Sequence, residues 1–248
     1  MTESQYKEVI EAWKIIPKPT DIIDEAFNKI PKNRLTQQYV ENNFSDLLVQ
    51  IEKTAHNIYK NYQNKAWKKL IDLCLKNFKI ITQNKNSLKI ATIMIKKFAP
   101  IIADFEFRLG QSRKQRGGSA LEETLRRLLY IIQINSEKPH GREKRKKLNQ
   151  MDLVSPTQQI ALKTPSKAKF LTCKRTLRER WKQTVPEKKR GWKMYLITLE
   201  TNLSEDKAND ILNLKLIAYV PDELKKQDHL KNKSWIRNLS DLPNAIRK

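Results

Sequence analysis

The sequence predicts an α/β fold in which a mixed central sheet is flanked by helices and preceded by a helical N-terminal portion. Through residues 1–108, apolar side chains recur three and four positions apart, as they do in amphipathic helices. From Asp152 onward, short strand-like runs alternate with helix-like segments, and strands separated by helices favour a mixed or mostly parallel sheet. Hydrophobic residues make up 39% of the 248 residues, so the chain can bury a core.

The N-terminal region is predicted to consist mainly of helices. Its apolar periodicity places them at 5–15, 35–60, 66–80 and 87–107. Prolines, Pro100 among them, are expected to interrupt these helices because proline lacks the backbone N–H that an α-helix uses.

A cluster of glycines marks the first change in the character of the sequence. Three of the five glycines of the chain fall between residues 110 and 118. Ser119 and Glu122 follow with the spacing of a capping box, in which each side chain bonds a free N–H of the first helical turn. We therefore predict that a separate amphipathic helix over 120–134 begins here.

The second half of the chain supplies the predicted sheet. Its strand-like runs are 152–155, 169–174, 193–199 and 216–220. Helices are predicted over 176–185 and 204–214, each between two of these strands. This order of elements gives the α/β class.

The charge balance favours a polyanionic partner. Lys and Arg number 50 against 27 Asp and Glu, which gives a formal net charge of +23. Each phosphate that such a protein neutralises releases counterions, and this release favours binding to nucleic acid. A ribosomal or chromatin protein would share the surplus but would usually carry more low-complexity sequence and fewer hydrophobic residues.

Cysteine usage and the N-terminus indicate the compartment. Cys74 and Cys173 are the two cysteines, and they provide neither a disulfide framework nor a four-ligand zinc pattern. The N-terminus lacks the basic-then-apolar order of a signal peptide, and no apolar run approaches the roughly 18 residues that a membrane span needs. We expect a soluble protein of the cytoplasm with no membrane partner.

Three charged residues could bind a metal ion and a phosphate. Asp152 lies in a short apolar run, where a carboxylate is costly unless it binds a cation or is exposed in a surface turn. Lys174 ends the next predicted strand, where its ammonium could hold a phosphate or simply be solvated. Glu187 follows 13 residues later, after Pro186, and is either a metal ligand or an exposed acid. Carboxylate oxygens are the ligands that Mg²⁺ prefers.

The predicted helix over 176–185 opens with a charged triplet, Arg178, Glu179 and Arg180. Two arginines in the first turn of a helix could contact O6 and N7 of guanine, and a glutamate between them could accept from N4 of cytosine. Alternatively, Glu179 forms a capping box with Thr176 and is structural, and the arginines are surface residues.

Segments 112–122 and 172–181 resemble the two signature blocks of Type II restriction endonucleases of the EcoRII, SsoII and NgoMIV group. This CCGG-recognising group is a branch of the PD-(D/E)XK nuclease superfamily. In the group, the usual acid two residues before the lysine is missing, and a glutamate from the following helix replaces it. Thr172 stands where the acid is expected, and Glu187 would supply the replacement. The resemblance implies a restriction-endonuclease-like fold.

The resemblance also assigns roles near the metal. It implies that Asp152 and Glu187 bind Mg²⁺ and that Lys174 is the catalytic lysine. Glu122 would be a further acid beside the metal, a role that competes with its place in the capping box.

The same resemblance assigns DNA contacts. It implies that Arg178, Glu179 and Arg180 recognise the CC and GG pairs and that Gln111 contacts bases from the minor groove. Residues 109–248 would form the catalytic core. We assign dimerisation and the embrace of DNA to residues 1–108 and expect the two parts to form one compact unit.

As a whole, the resemblance implies a homodimer that cuts double-stranded DNA at a CCGG, CCNGG or CCWGG type of site, with assembly into tetramers left open. It further implies a partner DNA methyltransferase that protects the host genome. Two other function classes remain: a non-enzymatic nucleic-acid-binding protein whose acids only cap helices, and a repair or recombination nuclease of the same fold without sequence preference.

Overall fold

The computed structural model describes residues 6–79, 87–141, 148, 151–177, 181–184 and 191–248. Its contacts divide the chain into two units, which we call the helical unit and the sheet unit. The helical unit comprises Met1–Glu25 and Thr54–Arg116, and the sheet unit comprises Ala26–Lys53 and Gly117–Lys248. The sequence favoured one boundary near residue 108, whereas the two observed units interleave along the chain.

Helices dominate the chain before the sheet, as the sequence predicted. They are α1 (Lys7–Trp13), α2 (Pro19–Asn28), α3 (Gln37–Asn42), α4 (Phe44–Lys79) and α5 (Ser87–Ile131). The helices that follow the first strand are α6 (Gln158–Lys163), α7 (Glu205–Asn213), α8 (Asp222–Lys225), α9 (Asp228–Lys231) and α10 (Leu242–Arg247). Within the described residues, none of these helices has an apolar stretch sufficient to cross a bilayer.

Helix α5 is continuous over 45 residues, where the sequence predicted separate helices over 87–107 and 120–134. Pro100 lies inside it, so the expected break is wrong. Ser119 is an interior residue, and the predicted capping box with Glu122 is wrong as well. Burial of apolar side chains outweighs the local costs, about 3 kcal/mol for proline and about 1 kcal/mol per glycine. The buried residues are Phe98, Ile101, Phe105 and Leu109 in the helical unit, and Leu121, Leu125, Leu128 and Leu129 in the sheet unit.

Helix α4 likewise joins two predicted helices, because it passes without interruption through the expected gap between residues 60 and 66. The predicted start near residue 35 corresponds to the short helix α3. Thr36 caps α3 by accepting a hydrogen bond from the Tyr39 N–H at 3.4 Å.

Five strands of the described chain form one mixed sheet in the order β1–β2–β3–β4–β5. They are β1 (Leu153–Ser155), β2 (Lys169–Lys174), β3 (Lys193–Thr198), β4 (Ile217–Val220) and β5 (Ile236–Asn238). β1 pairs with β2 in the antiparallel sense, and the other three pairs are parallel. The predicted class, a mixed central sheet flanked by helices, is confirmed.

The predicted strands agree with the observed ones to within one residue at each end, and the predicted helix over 204–214 is α7. β5 was not predicted because three residues are too few to show an alternating pattern. The predicted helix over 176–185 is wrong at its start, because Thr176 and Leu177 are not helical. A 3₁₀ helix spans Trp181–Thr184, and the remainder of that segment lies outside the described residues.

A compact apolar core holds the central strands in place. The β2 residue Phe170 is fully buried and stacks on Trp192, with ring centroids 4.0 Å apart and ring planes within 6°. Ala208 and Ile211 of α7 belong to the same core. This packing fixes β2 and therefore the positions of the residues at its carboxyl end.

Replacing Phe170 with alanine should lower the free energy of unfolding by about 3–5 kcal/mol, because it removes a buried ring and leaves a cavity. Urea denaturation would measure the change. The matched control is Leu212→Ala in α7, whose side chain is 45% exposed; it should shift stability by less than about 1 kcal/mol. Equal losses for the two variants would contradict the assignment of Phe170 to the core.

Candidate active site

Asp152 is held at the junction of β1 and β2. The antiparallel register places Leu153 opposite Leu171, so Asp152 comes beside Thr172. Its Oδ2 atom accepts hydrogen bonds from the Cys173 N–H at 2.7 Å and from the Thr172 hydroxyl at 3.2 Å. These two hydrogen bonds fix the orientation of the carboxyl group.

Lys174 is the last residue of β2, and its ammonium reaches back toward the same carboxyl group. The Lys174 Nζ atom lies 3.6 Å from Asp152 Oδ2. Both side chains are largely buried, with exposed fractions of 23% and 18%. Two residues that are far apart in the sequence therefore share one partly sheltered corner of the sheet.

Glu122 on α5 is the third charged group at this corner. Burial raises the pKa of Glu122 above its usual value, the hydrogen bond from the Lys138 ammonium opposes that rise, and the Asp152 carboxyl group adds to it. The influence of Asp152 on the pKa of Glu122 requires the two carboxyl groups to be close neighbours. The structure thus brings Glu122, Asp152 and Lys174 together, and we call these three residues the acid–lysine cluster.

The acid–lysine cluster suits a hard divalent cation. Two neighbouring carboxyl groups repel each other when both are ionised, and a bound cation removes that repulsion while accepting their oxygens as ligands. Within the described residues, no group of three or more acidic, histidine or cysteine side chains is arranged as a metal site. Glu187, the third predicted acid, lies outside the described residues.

The predicted DNA-contacting residues are only partly described. Arg178, Glu179 and Arg180 lie outside the described residues. Gln111 is a half-buried residue of α5 in the helical unit.

Comparison with known proteins identifies the family. The model of the EcoRII C-terminal family matches residues 78–242, about two-thirds of the chain. The chain belongs to this family. It is a Type II restriction endonuclease of the EcoRII group, and hence a site-specific deoxyribonuclease. We found no significant match among curated protein sequences.

Solved structures of restriction endonucleases have the same fold as this chain. Metal-depleted Ecl18kI in complex with uncleaved DNA matches with a TM-score of 0.80 and 19% identity, covering 99% of this chain and 84% of Ecl18kI. The PspGI–substrate DNA complex matches with a TM-score of 0.65 and 19% identity, covering 100% of this chain and 96% of PspGI. The predicted restriction-endonuclease-like fold is confirmed by these matches.

Glu200 contacts the signature segment over 172–181, and it was not predicted from the sequence. Its Oε2 atom accepts a hydrogen bond from the Leu177 N–H at 2.7 Å, and the Lys207 ammonium lies 3.4 Å from the same atom. Glu200, just after β3, therefore bonds the backbone of the segment that follows β2. The sequence position of Glu200 could have indicated it, because Glu200 follows β3 at the carboxyl end of the parallel strands, where ligand-binding residues gather.

Glu52 on α4 is a second residue that sequence reasoning missed. Its side chain is 1% exposed, and its Oε1 atom accepts a hydrogen bond from the Thr124 hydroxyl at 2.7 Å. Burial raises the pKa of Glu52, while the Thr124 hydrogen bond and the positive charge of Arg175 oppose the rise. No local pattern distinguishes this acid from the surface acids of other amphipathic helices.

The raised pKa of Glu52 makes stability depend on pH. The folded protein keeps the Glu52 proton at pH values where the unfolded chain has lost it, so the contribution of Glu52 to stability is greatest below the unfolded pKa, near 4.5, and is lost as the pH rises through the folded pKa. In Glu52→Gln this decrease should be absent. Urea denaturation from pH 4.5 to 8 without divalent metal would compare the two slopes.

The matched control for this titration is Glu223→Gln in the same unit, because the Glu223 side chain is 82% exposed. Its stability should follow the wild-type pH dependence. Parallel curves for the wild type and Glu52→Gln would show that Glu52 ionises alike in the folded and unfolded states.

Proposed function

We propose that this enzyme is a Mg²⁺-dependent homodimer that hydrolyses double-stranded DNA at a CCGG, CCNGG or CCWGG type of site. The observation that carries the proposal is the acid–lysine cluster at the junction of β1 and β2. Family membership supplies the reaction class, and the cluster supplies groups of the right chemistry for it.

The proposed ligands of Mg²⁺ are Asp152 and Glu187, with Glu122 as the further acid. When bound, Mg²⁺ polarises the scissile phosphate and lowers the pKa of a water molecule. The bonds from Cys173 and Thr172 both end on Oδ2 of Asp152, so they orient its carboxyl group without any help from the metal.

Lys174 is proposed to act on the phosphate. Its ammonium lies 3.6 Å from Asp152 Oδ2, and it could hold a phosphate oxygen and stabilise the charge that develops there. The Lys138 ammonium, which hydrogen-bonds Glu122, offsets negative charge on the other side of the cluster.

Sequence recognition is proposed for Arg178, Glu179 and Arg180 in the major groove and for Gln111 in the minor groove. Ecl18kI and PspGI were each solved with DNA, which supports duplex DNA as the ligand here.

A homodimer follows from the twofold symmetry of the proposed site, because two identical subunits can then cut the two strands. A partner methyltransferase and a location in the prokaryotic cytoplasm complete the proposal.

Replacing Asp152 or Lys174 with alanine should lower the cleavage rate more than about 100-fold, because a metal ligand or the phosphate-stabilising charge is lost. Both variants should still bind specific DNA in Ca²⁺. Plasmid cleavage in Mg²⁺ and a gel-shift assay in Ca²⁺ would separate the two effects. The control is Lys226→Ala, whose exposed side chain pairs with Glu223 and should not affect cleavage. Cleavage at the wild-type rate by either variant would refute the assignment.

Replacing Arg178 or Arg180 with alanine should weaken binding to the cognate site by about 1–3 kcal/mol for each lost base contact. Binding to unrelated DNA should change much less, because base contacts are made only at the cognate site. Titrations with cognate and scrambled duplexes would measure both affinities. A uniform loss on all sequences would identify the arginine as a phosphate contact.

Incubation of plasmid DNA with the protein and Mg²⁺, followed by sequencing of the ends, tests the function itself. A site-specific enzyme produces discrete fragments with a common end sequence. A nuclease without sequence preference produces a smear, and a binding protein produces no cleavage.

A further inference from the structure

The buried carboxyl group of Glu52 has no part in the mechanism above, yet it lies next to the site. Its Oε1 atom bonds the Thr124 hydroxyl, and Thr124 is itself fully buried two residues after Glu122 on α5. Through this bond, Glu52 contacts the helix that supplies one acid of the acid–lysine cluster.

The other oxygen of Glu52 faces the chain that leaves β2. Arg175 Nη1 lies 3.9 Å from Oε2, which is close enough for an ion pair. Within the described residues, Oε2 has no hydrogen-bond partner. Arg175 directly follows Lys174, and 32% of its side chain is exposed. One carboxyl group therefore contacts the elements that carry Glu122 and Lys174.

The Cys173 thiol lies near the same group of acids. Burial raises the pKa of Cys173, and the negative charges of Asp152, Glu122 and Glu52 add to the rise. All three carboxyl groups are therefore close to the same residue of β2. Glu52 belongs to the surroundings of the acid–lysine cluster.

Stability does not explain a glutamate at this position. A buried carboxylate loses its hydration, and well-packed apolar residues are often as stabilising as a buried ion pair. An oxygen without a hydrogen bond adds to the cost. Buried polar groups with incomplete partners concentrate at functional sites, where they orient other groups.

We propose that Glu52 is a positioning residue of the nuclease site. It anchors the Arg175 guanidinium beside Lys174, where Arg175 contacts a backbone phosphate of the bound DNA. The planar guanidinium can make paired hydrogen bonds to phosphate oxygens. Because 32% of the Arg175 side chain is exposed, some of its N–H donors are available to DNA while the buried Glu52 carboxyl group pairs with Nη1. The inference rests on the proposed nuclease function and adds to it a phosphate contact and the group that orients that contact.

The test compares Glu52→Gln, Arg175→Gln and the double variant in single-turnover cleavage of plasmid DNA with Mg²⁺. Misplacement of a phosphate contact should slow the cleavage step of Glu52→Gln about 10- to 100-fold, while its DNA affinity in Ca²⁺ changes less than about 3-fold. The double variant should be no slower than Arg175→Gln, because Glu52 acts through Arg175. Cleavage by Glu52→Gln at the wild-type rate, or rate losses that multiply in the double variant, would overturn the proposal.

Two variants of Thr124 keep the test decisive if Glu52→Gln folds poorly. Thr124→Val removes the hydrogen bond to Glu52 at nearly constant volume, and Thr124→Ser retains the hydroxyl. Thr124→Val should slow cleavage and Thr124→Ser should restore it to within about 3-fold of wild type. A purely structural role would lower the stability of these variants but leave the rate per folded molecule unchanged, and that result would overturn the proposal.

Cleavage by the wild-type enzyme distinguishes a failure of this inference from a failure of the nuclease function on which it rests. If the wild type cleaves and Glu52→Gln cleaves equally fast, only the positioning role is overturned. If the wild type cleaves no DNA, the nuclease proposal fails, and the role of Glu52 fails with it. The exposed acid variant Glu223→Gln should cleave like the wild type in every assay.

Discussion

The antiparallel pairing of β1 with β2 is the constraint on which the site depends. Asp152 donates its N–H to the Leu171 carbonyl at 3.0 Å and accepts the Cys173 N–H on its side chain at 2.7 Å. Because strand side chains alternate between faces, a shift of one residue would turn Asp152 away from Lys174. The buried aromatic stack of β2 makes such a shift costly, so the hydrophobic core sets the distance between two charged groups.

Acidic and basic side chains meet around this pairing, although the molecule as a whole is strongly basic. The chain carries a formal charge of +23, yet Glu52, Glu122 and Asp152 surround the end of β2. Basic surfaces attract the phosphate backbone, whereas hydrolysis requires acids that bind a cation at one phosphate. A few buried carboxyl groups allow both a basic surface and an acidic cation site. Burial limits the screening of their interactions by water and salt.

The continuity of α5 decides the position of Glu122 within its helix. The helix passes through Pro100 and the glycines without a break, so Glu122 is an interior residue of α5 rather than a residue at a helix start. The capping-box interpretation of Glu122 assumed that local signals end helices. Burial of apolar side chains between Phe98 and Leu129 outweighs those local signals.

The sequence by itself determined the α/β class and four of the five strands found in the described residues. It also singled out Asp152 and Lys174, which meet at the junction of β1 and β2. These follow from hydrophobic periodicity and from the cost of a charge in an apolar strand, which are local properties. Only the tertiary structure revealed β5, the unbroken α5 and the roles of Glu52 and Glu200 as neighbours of the site. Each of these depends on contacts between distant segments, because a buried acid is recognised by the groups that surround it and sequence spacing does not record them.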